Sequence, residues 1–275
     1  ASRYPRPHRA ESSAAARLRR ARKAPPERLD AHDLVLRGKD LHHRFTREDT
    51  KTCIEMFKKA IQRDPEYAVA YAWLACGYGL AIVFGLDKAT RLVNQSQAAA
   101  EKGLELDENE SECHRVLAQV QLTKRNLEKS LWHQERALFL NPNDDRILCA
   151  QGELLTFVGH ADEGEEWIRK SMLLNPYHPE RYWTHLARAL YHLGRYEEAL
   201  SVLSNISRPR MDDLIYKVLA THMTGEKHSA SKLAEQLREK FPEFQVDSFI
   251  QSLPYTEQAY ADAIANPLLA ACKGQ

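Results

Sequence analysis

Twelve histidines invite a metal reading, and His178, His185 and His192 recur every seven residues, which stacks side chains on one helical face two turns apart. Pro179 cuts His178 off from that helix, and the other two would stand about 10 Å apart along it. No Asp or Glu falls at the offsets a zinc-binding helix uses, and the doublet His42-His43 sits near a turn. Surface or groove histidines, and no metal, are expected. Cys53, Cys76, Cys113, Cys149 and Cys272 are scattered without a C-x-x-C pair, which speaks against a disulfide scaffold or thiolate zinc site and fits a reducing compartment. The pairs Glu165-Glu166 and Glu197-Glu198 read as solvated helix faces beside Arg and Lys. The sequence contains no G-x-S-x-G, phosphate-binding loop or dinucleotide fingerprint, and Gly85-Leu86-Asp87-Lys88 is a loop before a helix. No catalytic residue, no cofactor and no enzymatic activity are expected.

What must position the remaining side chains is set by the bulk of the chain. Its 275 residues, 43% hydrophobic and 28% charged, suit one large soluble domain or two ordinary ones. Residues 1–23 hold eight Arg or Lys against Glu11, a net +7 that leaves −6 on the rest of a chain with overall charge +1. An acidic body argues against nucleic acid, except through that basic segment. The segment lacks the apolar core of a secretory signal, and a start at Ala1 rather than Met suggests a piece of a longer chain. Ala14 to Lys23 favours helix, which Pro25-Pro26 ends; a nucleic-acid or anionic-membrane arm, a targeting presequence and a linker helix are its three readings, and the linker is preferred. Tyr67 to Leu86 is uncharged over twenty residues, the length of a bilayer span, yet Gly77, Gly79 and Gly85 and its register with an internal repeat make it a buried core helix.

That repeat is the dominant pattern of the chain. A helix end followed by Asp or Asn and usually Pro occurs at Asp64-Pro65, Asp107-Glu108, Asn141-Pro142 and Asn175-Pro176. The steps from Asp107 to Asn141 and from Asn141 to Asn175 are both 34, the step from Asp64 to Asp107 is 43, and Pro209 and Pro242 continue at 33 each from Pro176. Within a period, Trp183, Leu186 and Ala187 lead to Gly194-Arg195-Tyr196-Glu197-Glu198-Ala199-Leu200: a first helix, a glycine turn and a second helix whose small residue permits close approach.

These residues resemble the tetratricopeptide repeat family over roughly residues 30 to 243. The resemblance implies an all-α, right-handed solenoid of five to six helix–turn–helix units, at about 31–65, 66–108, 109–142, 143–176, 177–209 and a weaker 210–243. A basic segment or linker at 1–29 precedes it, and a capping segment at 244–275 follows, broken into two pieces by Pro254 and Pro267. The run Arg22 to Leu34, together with Leu36-Arg37-Gly38, His43 to Asp49, Val83-Phe84-Gly85 and Leu253-Pro254-Tyr255, is similar to the repeat domains attached to bacterial class III adenylate cyclases and to some winged-helix transcription regulators. That implies the accessory part of a larger cytoplasmic signalling protein whose cyclase or winged-helix domain is absent here.

In this architecture the first helix of each unit lines a concave groove, and the offsets put Arg115, Gln119, Arg146, Glu153, Arg181, Arg188, Tyr191 and His192 at exposed inner positions. Two readings of the four arginines stay open: a grip on an acidic or carboxylate-ended protein segment, since guanidinium suits bidentate carboxylate recognition, or simple solvation of a helix face. A chaperone-tail clamp is not expected, because Val35, Ala72 and Cys76 stand where it needs polar groups. The partner is expected to be protein or peptide, with no membrane.

Overall fold

The structure, a computed structural model, describes residues 17–19 and 21–273. Among them, regular structure is helical throughout: residues 17–19 and 21–23, a 3-10 turn at Pro26–Arg28, and fourteen α-helices. The α-helices are α1 (Ala31–His43), α2 (Arg47–Arg63), α3 (Ala68–Val83), α4 (Ala89–Leu106), α5 (Ser111–Thr123), α6 (Leu127–Leu140) and α7 (Asp145–Phe157). They continue as α8 (Ala161–Leu174), α9 (Arg181–His192), α10 (Tyr196–Leu203), α11 (Met211–Met223), α12 (Lys227–Lys240), α13 (Val246–Ser252) and α14 (Gln258–Lys273). The chain forms two compact units, residues 1–120 and 121–275, divided within α5.

Six helix–turn–helix hairpins run from α1 to α12. Every one turns through a single residue in the left-handed region: Phe45, Gly85, Arg125, Gly159, Gly194 and Gly225. Glycine adopts that conformation freely, whereas a residue with a Cβ pays roughly 1–2 kcal/mol for it. Phe45 is held by its ring against Phe84, 5.3 Å between centroids, and Arg125 by hydrogen bonds from its guanidinium to the terminal segment. The Asp and Asn markers are the residues that end second helices: Asp64, Asp107 and Asn175 each have extended backbone. Their side chains accept from the amide two residues on, at 3.2, 3.0 and 3.1 Å, so the repeating marker is an Asx turn.

The long second repeat is lengthened throughout. Compared with the third, α3 has three more residues than α5, the turn two more, and α4 four more than α6. Ten residues of α3, among them Trp73 and Leu80, are buried in the core of unit 1, and no described helix is long and apolar enough to cross a membrane. The fifth repeat has the best-formed sequence pattern but the shortest second helix, a mere two turns in α10. The sixth, expected to be weak, has full-length helices in α11 and α12.

Unit 1 is built around Phe57, Leu34, Leu117, Cys53 and Trp73, with Ala21 and Leu29 of the N-terminal segment also buried. The described part of the basic segment is tied to α1: Arg17 bonds Asp33 and Asp30, the latter at 2.9 Å, and Arg22 bonds Asp40. Arg37 Nη1 donates to Ala24 O at 2.9 Å. Two of the eight basic residues therefore serve as struts; residues 1–16 and residue 20 lie outside the described part.

Unit 2 has its core around Ile147, Leu148, Ile168, Tyr182, Leu186, Leu190, Ile215 and Leu219, each large apolar side chain worth about 1.5–3 kcal/mol on burial. Where α7 crosses α8 the backbones nearly touch: a Cβ on Gly152 would lie 2.5 Å from Gly164 O, and one on Gly164 2.5 Å from Thr156 Oγ1. The terminal segment departs from expectation in one respect. Pro254 lies in the break between α13 and α14, but Pro267 lies inside α14, which continues through it. Proline withholds the amide that would bond Ala263 O, and the Tyr191 hydroxyl takes that carbonyl instead at 2.7 Å.

Candidate partner-binding faces

First helices of successive hairpins lie side by side within each unit, α1 beside α3 in unit 1, and α7, α9 and α11 in unit 2. Side chains that point away from the second helices make one face per unit.

In unit 1 that face carries Lys39, whose Nζ sits 4.5 Å from the Trp73 ring, and Cys76, whose Sγ is 3.3 Å from His42 Nε2 and 3.2 Å from Arg115 Nη2. Arg115 is half-buried and grips Glu112 through Nε and Nη2 at 3.0 and 2.7 Å. Its guanidinium is therefore already engaged with a carboxylate. Gln119 is exposed.

In unit 2 the face has a polar centre. Arg188 Nη1 donates to Glu153 Oε1 at 2.9 Å and Nε to the Tyr216 hydroxyl at 3.0 Å, while the guanidinium lies 4.5 Å from the Phe157 ring. His185 Nδ1 is 3.1 Å from the same Glu153 oxygen, within ion-pair distance but without hydrogen-bond geometry. Burial raises the Glu153 carboxyl, and His185 and then Arg188 more than reverse this, so it stays ionised well below the usual carboxylate range. The offsets expected Arg188 and Tyr191 to be exposed; both are buried. His192 is partly buried. The reason is the terminal segment, which folds back over this face and which the sequence presents only as a cap.

Tyr255, from the stretch between α13 and α14, is buried against the rings of Phe157 and His192. Its hydroxyl lies 2.6 Å from His192 Nε2 and 3.3 Å from the Tyr216 hydroxyl. Burial, then Arg188, pushes His192 down to about 4, and burial pushes the Tyr255 hydroxyl well up, so a neutral imidazole meets a protonated phenol. Arg188 donates to the Tyr216 hydroxyl, and the Tyr216 hydroxyl, the Tyr255 hydroxyl and His192 Nε2 continue the hydrogen-bonded chain. Farther along, Tyr260 donates to Gly159 O at 3.0 Å. Arg125 donates to Gln251 O and Leu253 O at 2.9 and 3.1 Å, which is what sustains its left-handed backbone.

Six of the eight expected groove residues thus belong to unit 2, and the structure joins Glu153, Arg188, Tyr191 and His192 with the terminal segment. Arg146, half-buried, pairs with Asp144 at 3.0 Å, and Arg181 lies over the Tyr182 ring at 5.7 Å. Sequence reasoning missed Arg125, Tyr216 and Tyr255. Arg125 had a legible signal, since it stands one repeat period before Gly159, at the turn position where four hairpins have glycine. Among the described residues, no three His, Cys, Asp or Glu side chains are grouped to hold a metal ion.

The tetratricopeptide repeat family model matches residues 180–204, which are α9, its turn and α10. Three solved structures share the fold of much of the chain. A chain of the APC/C hetero-tetramer Cut9–Hcn1 aligns with a TM-score of 0.63 at 13% identity, covering 94% of this chain and 46% of that one. The fold is that of the tetratricopeptide repeat. TTC0263, a thermophilic tetratricopeptide repeat protein of Thermus thermophilus, aligns at 0.52 and 18% identity over 70% of this chain and 98% of its own. PilW, a type IV pilus biogenesis factor, aligns at 0.53 and 17% over 76% and 94%. No curated protein matches the sequence. Tetratricopeptide repeats generally mediate contacts between proteins.

Proposed function

We propose that the protein is a non-catalytic binding module that holds a segment of another protein on its first-helix faces. One observation supports this: charged and polar side chains, Lys39, Arg115 and Gln119 in unit 1 and Arg146 and Arg181 in unit 2, are gathered on first helices and remain in part accessible. The acidic-segment version rests first on Arg181, because Glu112, Asp144 and Glu153 already pair with Arg115, Arg146 and Arg188, and on Arg146 only where a partner carboxylate displaces Asp144. Residence in a reducing compartment such as the cytoplasm belongs to the same reading, since all five cysteines are free thiols. Attachment to a cyclase or winged-helix domain is supported by the sequence resemblance around Arg22 to Leu34 alone.

The test is quantitative capture of partners on the immobilised chain, native against Arg146→Glu with Arg181→Glu. A specific partner should be lost tenfold or more, about the effect of one charge-assisted contact, while the helical signal and melting temperature stay unchanged. A folded double variant that keeps every partner at native affinity overturns the assignment of those arginines.

A further inference from the structure

The terminal segment does more than a cap requires. In a repeat stack each unit meets only its neighbours, so a chain end that follows the sixth repeat needs only to cover the sixth. Here it reaches Tyr216 in the sixth, His192 in the fifth, Gly159 in the fourth and Arg125 in the third. Leu253, Pro254 and Tyr255 are non-helical and are held as an extended ligand is held, by backbone carbonyls, the buried Leu253 side chain and one inserted ring. The carbonyl clamp is Arg125, kept in a strained backbone that glycine would relieve, and strain retained at such a place marks a clamp. The face beneath has a polar centre: Glu153, Arg188, Tyr216 and His192 form a hydrogen-bonded network that reaches an incoming phenol, where a pure cap would need only apolar surface.

We propose that the first-helix face of unit 2 is a segment-binding site whose resident ligand is the chain's own Leu253-Pro254-Tyr255, and that it opens to a partner segment presenting an aliphatic residue, a proline and a tyrosine in that order. The inference rests on the binding-module reading above. Of α13 only Phe249 is buried, whereas α14 is anchored by Ile264 and Leu268, both fully buried. Residues 246–257 can therefore leave the face while α14 stays docked as a tether.

The test uses a fluorescein-labelled peptide copying residues 249–260 and the full chain. Leu253→Ser with Tyr255→Ser should empty the face. Because the resident stretch competes at an effective concentration on the order of mM, the emptied variant should bind the peptide at least ~10-fold more tightly than the native chain. Adding Arg125→Ala, or replacing the peptide's first tyrosine by phenylalanine, should each weaken binding. A folded variant that binds no better than the native chain overturns the proposal. Hydrogen exchange on the native chain decides the case if the variant does not fold: amides of 249–257 should exchange at least ~10-fold faster than those of α11, and equal rates make the stretch core and overturn it. A concentration-dependent native dimer that blocks the peptide assigns the face to a second copy and likewise overturns it. None of these failures touches the partner capture above, whose loss on Arg146 and Arg181 substitution stands or falls separately.

Discussion

The Tyr255 hydroxyl sits 2.6 Å from His192 Nε2, a contact between distant parts of the chain, in surroundings whose burial and nearby Arg188 disfavour the charged imidazole. His192 falls from 6.5 to about 4 in the folded chain, so between those values the unfolded chain binds the extra proton. The stability this contributes is complete above pH 6.5, declines as pH falls towards 4, and amounts to roughly 3 kcal/mol. Thermal melts from pH 7.5 to 4 should show unit 2 losing stability over that window, and His192→Gln should flatten the slope. A native slope that survives the substitution refutes the assignment.

Arg125 separates strain from contact. Arg125→Ala keeps the left-handed backbone and loses both carbonyl bonds, a loss of about 1.5–3 kcal/mol for a charged donor. Arg125→Gly loses the same bonds but relieves the turn, and should be the milder by roughly 1 kcal/mol. Urea melts followed through unit 2 give the order, and Ala milder than Gly would contradict it.

Breaking the buried pair should be worse than replacing it. Glu153→Gln leaves Arg188 buried without its counter-charge and should destabilise by about 3–5 kcal/mol, whereas Glu153→Leu with Arg188→Met should recover most of that. Thermal melts of both variants provide the check, and a double variant no better than the single one would show that the pair contributes more than compensation.

Glycine substitutions should have opposite signs at two positions. Gly164→Ala drives a methyl towards Thr156 Oγ1 and Gly152 O, at 2.5 and 2.8 Å, and should cost about 1–3 kcal/mol. Gly79, inside α3 with nothing within 4 Å of an added Cβ, should gain roughly 0.5–1 kcal/mol as alanine. The melting temperatures of the two variants should move apart.

The hairpins were legible because their period is written in local chemistry: an Asx turn at each of Asp64, Asp107 and Asn175, and small residues at crossings such as Gly152 and Gly164. The face was legible only in part. Helical offsets place Arg188 and Tyr191 correctly on first helices, but nothing local to α9 reports that Tyr255, two repeats farther along the chain, would cover them. Pro267 misled for the same reason, since its helix-breaking effect was cancelled by a hydroxyl from Tyr191, far earlier in the chain. Arg125 was readable as an oddity in a glycine slot, though its purpose lay in carbonyls at 251 and 253.

The overlong second hairpin shows what this chain tolerates. Its nine additional residues are shared among α3, α4 and the turn at 84–88, and the next repeat resumes with helices of ordinary length. Exposed Val83 marks the tip of this overhang, where the polypeptide can be interrupted without shifting the register of anything downstream. A fluorescent reporter or epitope spliced between Leu86 and Asp87 would ride on that overhang, and would give a visible handle on the molecule with both chain ends left as they are.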